Sequence, residues 1–328
     1  MAKPPLVVAG YAGWQLAYLS SAIGATGAEI GSSALPVRRA HRHHVIGTTL
    51  MRFVSFRLAG QMGYGAVIGD AVVRLDSADL PSLRAYIERH FQTGWPDLPV
   101  GPRIPFADLE LLPPVPDAGK ILCVATNFRE ASLGDKPEPS HPLLFTRFAD
   151  SFVGHGQPLE MPCVTQAYDF EGELAVVIGR YAHRVTSERA MDHVAGYSCL
   201  NDGSVRDWQK HSSQFTAGKN FYHSGSMGPW LVTCDEIPAF ADLSLETRVN
   251  GSVEQRVGMD RMIFDVPWLV AYLSRITPLA PGDIIATGTP SGFGASRRPQ
   301  HFLAVGDMVE VEIPGVGRLN NIVAHERM

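Results

Sequence analysis

The fold of this chain is decided by one stretch, Asp169-Phe170-Glu171-Gly172-Glu173-Leu174-Ala175-Val176-Val177-Ile178-Gly179. Its acidic residues recur at every second position, and a strand directs such residues to one face because successive side chains alternate. The apolar run that follows is typical of a strand buried on both faces. The stretch therefore predicts a core strand that begins with three carboxylates close together.

These carboxylates indicate either a metal site or a polar strand edge. Neighbouring carboxylates repel one another and raise one another's pKa unless a cation compensates them. A hard dication such as Mg²⁺, Mn²⁺ or Ca²⁺ suits an all-oxygen site, and the lack of a paired His or Cys set argues against zinc. Asp202 follows another strand-like run and is a candidate third ligand beside Glu171 and Glu173. The spacing alone is equally compatible with a solvent-facing edge.

Side chains suited to an anionic substrate follow in the sequence. If a helix begins after Asp202, Arg206 and Gln209 fall on one side of it, although pairing of Arg206 with a neighbouring acid is the plain alternative. Lys219 lies in a predicted glycine-containing loop. The turn 287–294 offers hydroxyl and backbone N–H groups that can hold a carboxylate.

Composition excludes several classes of function. The 328 residues are 45% hydrophobic and 19% charged with a net charge of -5, so there is no basic footprint for nucleic acid. Residues 4–28 are uncharged, but their many Gly, Ser and Thr make a poor signal peptide or membrane helix. The four cysteines are far apart, which favours reduced thiols. We expect a cytoplasmic protein that binds neither nucleic acid nor a membrane.

The chain divides into three predicted parts. Residues 1–50 form an extension that we expect to be poorly ordered, and Met51 is a candidate start of translation because the pattern changes abruptly there. Residues 51–112 read as a small N-terminal domain of short strands with one helix from Leu80. Residues 113–328 read as the main domain, in which Asn250-Gly251 predicts a tight hairpin.

Five ordered blocks resemble the fumarylacetoacetate hydrolase family along nearly all of residues 113–328. They are D-F-E-G-E-L-A-V-V-I-G at 169, G-Y-S-C-L-N-D-G-S-V-R-D-W-Q at 196, G-K-N at 218, G-P-W-L-V-T at 228 and P-G-D-I-I-A-T-G-T-P at 281. Residues 51–110 resemble the small N-terminal domain of longer bacterial members. The resemblance implies a β-rich α/β fold, a mixed β-sandwich or roll, which is usually a homodimer.

The resemblance also implies the site. It assigns Mg²⁺ or a similar ion to Glu171, Glu173 and Asp202. The residues that it places around a small 2-oxo acid substrate are Arg147, Arg206, Gln209, Lys219 and Thr289. One block departs from the family, where relatives read N-Y-x-x-H-x-x-E and supply a water-activating His and Glu. Ala131 and Gly134 stand at those positions here, and the candidate replacements are Glu130, Asp135, Glu138 and His141.

The predicted activity is that of a metal-dependent hydrolase or lyase. Such an enzyme cleaves a C–C bond of a 2-oxo or 1,3-dicarbonyl acid, of the acylpyruvate or fumarylacetoacetate type, in catabolism of aromatic or sugar-derived acids. Glu130 and Lys219 are the candidate catalytic groups. Lys219 acts as an acid or base if burial lowers its pKa, and simple pairing with carboxylates is the equal alternative. The alternatives are a 2-oxo acid decarboxylase, a 2-hydroxydienoate isomerase and a catalytically weakened protein that binds a metal and a 2-oxo acid.

Overall fold

A computed structural model describes residues 51–99, 101–129, 137–237 and 240–327. The predicted extension 1–50 lies outside these residues. In the described part the fold is mixed α/β and rich in strands, as the sequence predicts. No helix found there is long and apolar enough to cross a membrane.

Strands supply most of the regular structure. In chain order they are β1 (Arg52–Leu58), β2 (Gln61–Ile68), β3 (Ala71–Arg74), β4 (Arg103–Pro105), β5 (Glu110–Leu111), β6 (Ile121–Ala125), β7 (Leu143–Arg147), β8 (Phe152–Val153), β9 (Leu159–Met161), β10 (Tyr168–Asp169), β11 (Gly172–Ile178), β12 (Val194–Asn201), β13 (Ser204–Val205), β14 (Gly225–Thr233), β15 (Ser244–Val249), β16 (Ser252–Gly258), β17 (Ile284–Ala286), β18 (Met308–Ile313) and β19 (Gly317–His325). The helices are α1 (Leu83–His90), α2 (Ser187–Ala190), α3 (Arg206–Gln209), α4 (Thr216–Lys219) and α5 (Val266–Ile276).

The predicted core strand is β11, which lies inside a twelve-stranded sheet, but only Glu173 of the three predicted carboxylates belongs to it, because Asp169 lies in β10 of a separate two-stranded sheet and Glu171 lies between the two strands. The main path of that sheet runs β4-β3-β2-β1-β14-β12-β11-β17-β6-β7, with β5 paired to β1 and β8 to β14. All seven residues of β11 are buried, with Leu174 and Val176 in one apolar cluster and Ala175 and Val177 in another. Burial on both faces explains why the strand is apolar at every position after Glu173.

Different elements cover the two faces of this sheet. On the face of Leu174, the apolar cluster includes residues of α5 and of a second, five-stranded sheet ordered β16-β15-β18-β19-β9. On the other face, α1 contributes Leu83, Tyr86 and Ile87. The acidic start of β11 therefore projects from a strand that is fixed by packing on both sides.

The N-terminal segment continues the main sheet. β1 pairs antiparallel with β14, with Phe53 opposite Leu231. The twelve-stranded sheet thus contains strands from both sides of the predicted boundary at residue 112. The helix predicted from Leu80 is α1, and the hydroxyl of Ser82 caps it by accepting a hydrogen bond from Ala85 N at 3.3 Å.

Helix α5 has no counterpart among the predicted elements. Asp265 caps it by accepting a hydrogen bond from Trp268 N at 2.9 Å, and a proline stands in its first turn. Leu269, Val270 and Leu273 then bury its apolar face at helical spacing. These start signals were present in the sequence and would have located the helix.

The predicted hairpin connects β15 to β16. Asn250 and Gly251 have φ of 52° and 80°, so both central residues take the left-handed conformation that a two-residue turn of this kind requires. The Asn250 side chain also accepts a hydrogen bond from Met308 N at 2.9 Å, which joins the turn to β18.

Replacing Gly251 with alanine tests the turn. A Cβ at this positive φ is strained, so we expect Gly251→Ala to lower the free energy of unfolding by about 1–2 kcal/mol. Urea denaturation measures the loss, with Ser252→Ala at the next, exposed position as the control, which should change stability by less than about 0.5 kcal/mol. Equal effects of the two substitutions would contradict the left-handed turn.

Candidate metal centre and active site

Three carboxylates meet where β11 begins and β12 ends. Ligand oxygens of Glu171, Glu173 and Asp202 all lie within 4.8 Å of one another, and the three residues are buried. The antiparallel register of β11 and β12 sets Gly172 opposite Asn201, which brings the residues flanking them together. A backbone hydrogen bond of 2.8 Å from Asp202 N to Glu171 O fixes the junction. The predicted ligand set is therefore assembled in space.

Cationic side chains compensate two of these carboxylates. Lys219 Nζ donates to Glu171 Oε2 at 2.7 Å and to Asp202 Oδ2 at 2.6 Å. Arg206 Nη1 lies 2.6 Å from Glu171 Oε1, and Arg147 Nη1 donates to Asp202 Oδ1 at 2.6 Å. Coulombic attraction to Lys219 and Arg147 outweighs the effect of burial and holds the pKa of Asp202 below its usual value.

Glu173 differs because no cationic side chain of the described residues pairs with it. Its Oε2 accepts a hydrogen bond from Gly288 N at 2.8 Å. Burial, followed by repulsion from Asp202 and Glu171, raises the pKa of Glu173 well above its ordinary value.

Counting formal charges shows what the cluster lacks. Four carboxylates, those of Glu171, Glu173, Asp202 and Asp169, face the three cationic side chains. One negative charge is left uncompensated in a buried place. An all-oxygen donor set with an excess of negative charge fits a hard divalent cation.

A lysine that transfers protons as a neutral amine needs a lowered pKa, but the pKa of Lys219 is raised. Burial alone lowers the pKa of this lysine, but Coulombic attraction to Asp202 and Glu171 outweighs burial and the net pKa is raised. The sequence left two interpretations of Lys219 open, and its ion pairs with Glu171 and Asp202 favour carboxylate pairing over an acid or base with a depressed pKa. Its ammonium is a fixed positive charge beside the carboxylates.

The expectation for Arg147 also needs correction. We placed it at the substrate, but its side chain is fully buried behind Asp202 and does not line the cavity. Its remaining N–H groups donate to Gly203 O, to Ser151 and to the Ser224 hydroxyl. With its donors satisfied by the protein, Arg147 positions a carboxylate and has none left for a ligand.

Arg206 keeps a donor free. The condition set in the sequence analysis, a helix after Asp202, is met: α3 contains Arg206 and Gln209, and Arg206 Nη1 donates to Gln209 Oε1 at 3.1 Å. Asp169 holds Arg206 Nε at 2.8 Å and is itself fixed by Gly294 N at 2.7 Å. The remaining nitrogen, Nη2, is buried and has no hydrogen-bond partner. An unpaired guanidinium N–H next to a cavity is suited to an anion.

The cluster opens into a cavity of about 270 Å³. Among the described residues, the metal ligands and substrate-binding residues predicted from the sequence line this cavity, with the exception of Arg147 and Asp202. Those that line it are Glu171, Glu173, Arg206, Gln209, Lys219 and Thr289. The apolar lining includes four phenylalanines, to which no function was assigned from the sequence: Phe128, Phe145, Phe215 and Phe293. Thr126 and Phe215 line the cavity with φ of 57° and 61°. Such strain is concentrated at functional sites.

Comparison with known proteins identifies the family. The model described as "Fumarylacetoacetate (FAA) hydrolase C-terminal" matches residues 120–324, which is more than half of the chain. The chain belongs to the fumarylacetoacetate hydrolase family. A second model, "Rv2993c-like, N-terminal", matches residues 51–114. The resemblance and the fold inferred from the sequence are confirmed.

Relatives within this family carry several activities in their names. Oxaloacetate tautomerase YisK of Bacillus subtilis is 41% identical over 220 residues, 66% of this chain and 73% of that protein. A solved structure of 2-hydroxyhepta-2,4-diene-1,7-dioate isomerase from Mycobacterium marinum is 33% identical, with a TM-score of 0.69 over 85% of this chain and 100% of that one. The fumarylacetoacetate hydrolase of Exiguobacterium antarcticum is 34% identical, with a TM-score of 0.74 over 84% and 100%.

The candidate replacements for the family's water-activating His and Glu divide into two groups. Glu130 and Asp135 lie outside the described residues, so these predictions stay as they are. Glu138 forms an exposed ion pair of 2.6 Å with Arg129, and His141 Nδ1 lies 3.0 Å from Ser140 Oγ. Neither of these two lines the cavity.

Gln255, in β16 of the five-stranded sheet, positions residues of the site, and the sequence did not predict this role. From β16, its Oε1 accepts a hydrogen bond from Gly172 N at 2.9 Å, between two of the carboxylates. Its Nε2 donates to Thr289 Oγ1 at 2.8 Å and to Pro290 O at 2.7 Å. Gln255 thus ties the acidic strand to the Thr-Gly-Thr-Pro turn.

Lys219 lies in α4, one helical turn, where we predicted a loop. The difference follows from close packing of α4 on α3. A Cβ on Gly218 would lie 2.4 Å from the Gln209 backbone, so only glycine allows this approach. The contact places Lys219 inside the cluster.

Replacing Gln255 with leucine tests its positioning role. The buried N–H of Gly172 would lose its partner, so we expect Gln255→Leu to lower the free energy of unfolding by about 1–3 kcal/mol. Because the acidic strand loses its tie to the turn, Mn²⁺ affinity measured by electron paramagnetic resonance should fall by roughly tenfold. Gln61→Leu on the exposed end of β2 is the control and should leave Mn²⁺ affinity unchanged. An unchanged Mn²⁺ affinity in Gln255→Leu would refute the positioning role.

Proposed function

We propose that this chain is a divalent-metal-dependent tautomerase of a small 2-oxo dicarboxylic acid such as oxaloacetate. The observation that carries the proposal is the buried carboxylate cluster beside the unpaired Nη2 of Arg206, in one cavity. At about 270 Å³ this cavity is smaller than the roughly 300–1,000 Å³ typical of drug-sized ligands, which favours a small acid.

Glu171, Glu173 and Asp202 would hold the ion, and their all-oxygen donor set favours Mg²⁺ or Mn²⁺. The ion supplies Lewis acidity that polarises the 2-oxo group of the acid. Lys219 and Arg147 keep Asp202 ionised and oriented, while Asp169 orients Arg206. With a dication present, the positive charges of the cluster exceed the negative ones by one, which suits an anionic substrate.

Arg206 and Gln209 are the groups that select a dicarboxylic acid. Nη2 of Arg206 can donate to the carboxylate farther from the 2-oxo group without breaking its contacts to Asp169 and Glu171. Gln209 lines the same part of the cavity and its amide N–H₂ makes no hydrogen bond to the described protein residues. The phenylalanines of the lining limit access of water to the bound acid.

Tautomerisation requires less of this site than hydrolysis does. It moves one proton between the enol oxygen and carbon 3 of the acid, so no carbon–carbon bond breaks and no water is consumed. The described lining holds no histidine and no carboxylate beyond Glu171 and Glu173 to activate water. The name of the Bacillus subtilis relative favours the same reaction.

Hydrolysis of a carbon–carbon bond is the second candidate. The structural similarity to the hydrolase of Exiguobacterium antarcticum favours it. It would require a general base from outside the described cavity lining, for which Glu130 is the predicted residue.

The assay follows decay of the enol form of oxaloacetate by its ultraviolet absorbance. We expect acceleration by the wild-type protein with Mg²⁺ or Mn²⁺, loss of the acceleration after chelation, and a fall in kcat/KM of about 100-fold or more in Glu173→Gln. Glu110→Gln, which removes an exposed carboxylate paired with Arg57, is the matched control and should retain full activity.

Product analysis separates the candidates. Enol decay with oxaloacetate conserved supports the tautomerase. Release of pyruvate and carbon dioxide identifies a decarboxylase, and release of pyruvate from an acylpyruvate identifies a hydrolase or lyase. Metal-dependent stabilisation by oxalate without any turnover identifies a binding protein, and each of these last three results would overturn the proposal.

A further inference from the structure

A second cavity lies at the opposite end of β11 from the carboxylates. Its volume is about 490 Å³, and three arginines and two histidines line it: Arg180, Arg184, Arg189, His183 and His193. The strand rises about 3.3 Å per residue, so Arg180 is roughly 20 Å from Glu173. The cavity is therefore separate from the metal centre, and we call it the arginine cavity.

The described residues that line the arginine cavity bring no carboxylate to balance its arginines. Arg180 Nε is buried without a hydrogen-bond partner. Arg184 forms no ion pair with the described carboxylates, and Arg189 reaches only a distant one, 3.6 Å from Asp192. In a chain of net charge -5, three neighbouring guanidinium groups with a single distant carboxylate partner indicate a place for an anion.

The backbone that carries these arginines is fixed. Arg184 has a φ of 56°, and its N–H donates to Ser274 O at 2.9 Å. The next N–H, of Val185, donates to Ser274 Oγ at 3.1 Å, so α5 holds the loop on both sides of the strained residue. At the other wall, Gly179 N donates to His193 O at 2.8 Å. Because the backbone is already fixed, the entropy lost when a ligand binds is largely that of the arginine side chains themselves.

We propose that the arginine cavity binds a diphosphate group. The permanently charged cationic residues of its lining are all arginines. The planar guanidinium group can donate hydrogen bonds to two phosphate oxygens at once. Arg180 and Arg184, which form no ion pair with the described carboxylates, each supply a guanidinium fork, and Arg189 supplies another that is weakly paired with Asp192. Tyr181, which is 56% exposed at the same cavity, offers a ring on which the base of a nucleoside diphosphate can stack. This site goes beyond the proposed function and does not depend on it.

Calorimetric titration of the full chain with inorganic pyrophosphate, in metal-free buffer, tests the site. We expect saturable binding that weakens with added salt and that falls by about tenfold or more in the double variant Arg180→Gln/Arg184→Gln. The matched control is Arg103→Gln/Arg256→Gln, which removes the same charge from exposed positions elsewhere and should bind as the wild type does. Arg206→Gln, in the metal centre, should also retain binding.

A second arm distinguishes the source of the diphosphate. Tighter binding of ADP than of pyrophosphate, with the difference removed by Tyr181→Ala, would support a nucleotide, and equal binding of the two would support free diphosphate. The proposal is overturned if the wild type does not bind pyrophosphate, if Arg180→Gln/Arg184→Gln binds it unchanged, if Arg206→Gln abolishes binding, or if citrate binds more tightly than pyrophosphate. Circular dichroism spectra of all variants establish that they are folded.

Discussion

Lys219 bridges Glu171 and Asp202, and the rest of the site depends on this contact. Removing carboxylates from water costs several kcal/mol per ion unless other charges and donors compensate them. Lys219 can reach both acids only because Gly218 lets α4 pack against the backbone of Gln209. Without that contact the two carboxylates would repel each other, and Asp202 would have only Arg147 as a cationic partner.

The surrounding fold makes the arrangement rigid. β11 is buried on both faces, so the start of the strand has little freedom. Gln255 accepts a hydrogen bond from the N–H of Gly172, and Gly288 N donates to the carboxylate of Glu173. Asp169 acts indirectly: Gly294 N donates to its carboxylate, and the same carboxylate accepts from Arg206 and so orients it. Glu173 is the carboxylate of this cluster that has no cationic partner among the described residues, and burial raises its pKa well above the ordinary value. A dication bound there would compensate this charge, which explains why the cluster suits one.

The sequence predicts those features that depend on local spacing. The two-residue period of Glu171 and Glu173, the position of Asp202 after a strand, and the hairpin at Asn250-Gly251 are local patterns, and all three appear in the structure. Gln255 could not be found in this way, because its partners lie 34 or more residues away in the chain, one in a strand of the other sheet and two in the turn after β17. The role of Arg147 was misjudged for a similar reason, since only the packing shows which partners satisfy its donors.

The central claim is that these three carboxylates hold one divalent cation. Anomalous X-ray diffraction tests it directly. The full chain is crystallised with Mn²⁺, and data are collected at a wavelength where manganese scatters anomalously. The account predicts a single strong anomalous peak about 2.0–2.3 Å from oxygens of Glu171, Glu173 and Asp202, and no such peak in Glu173→Gln crystals grown in the same way. A peak located elsewhere, or none at the triad in wild-type crystals, would contradict the account.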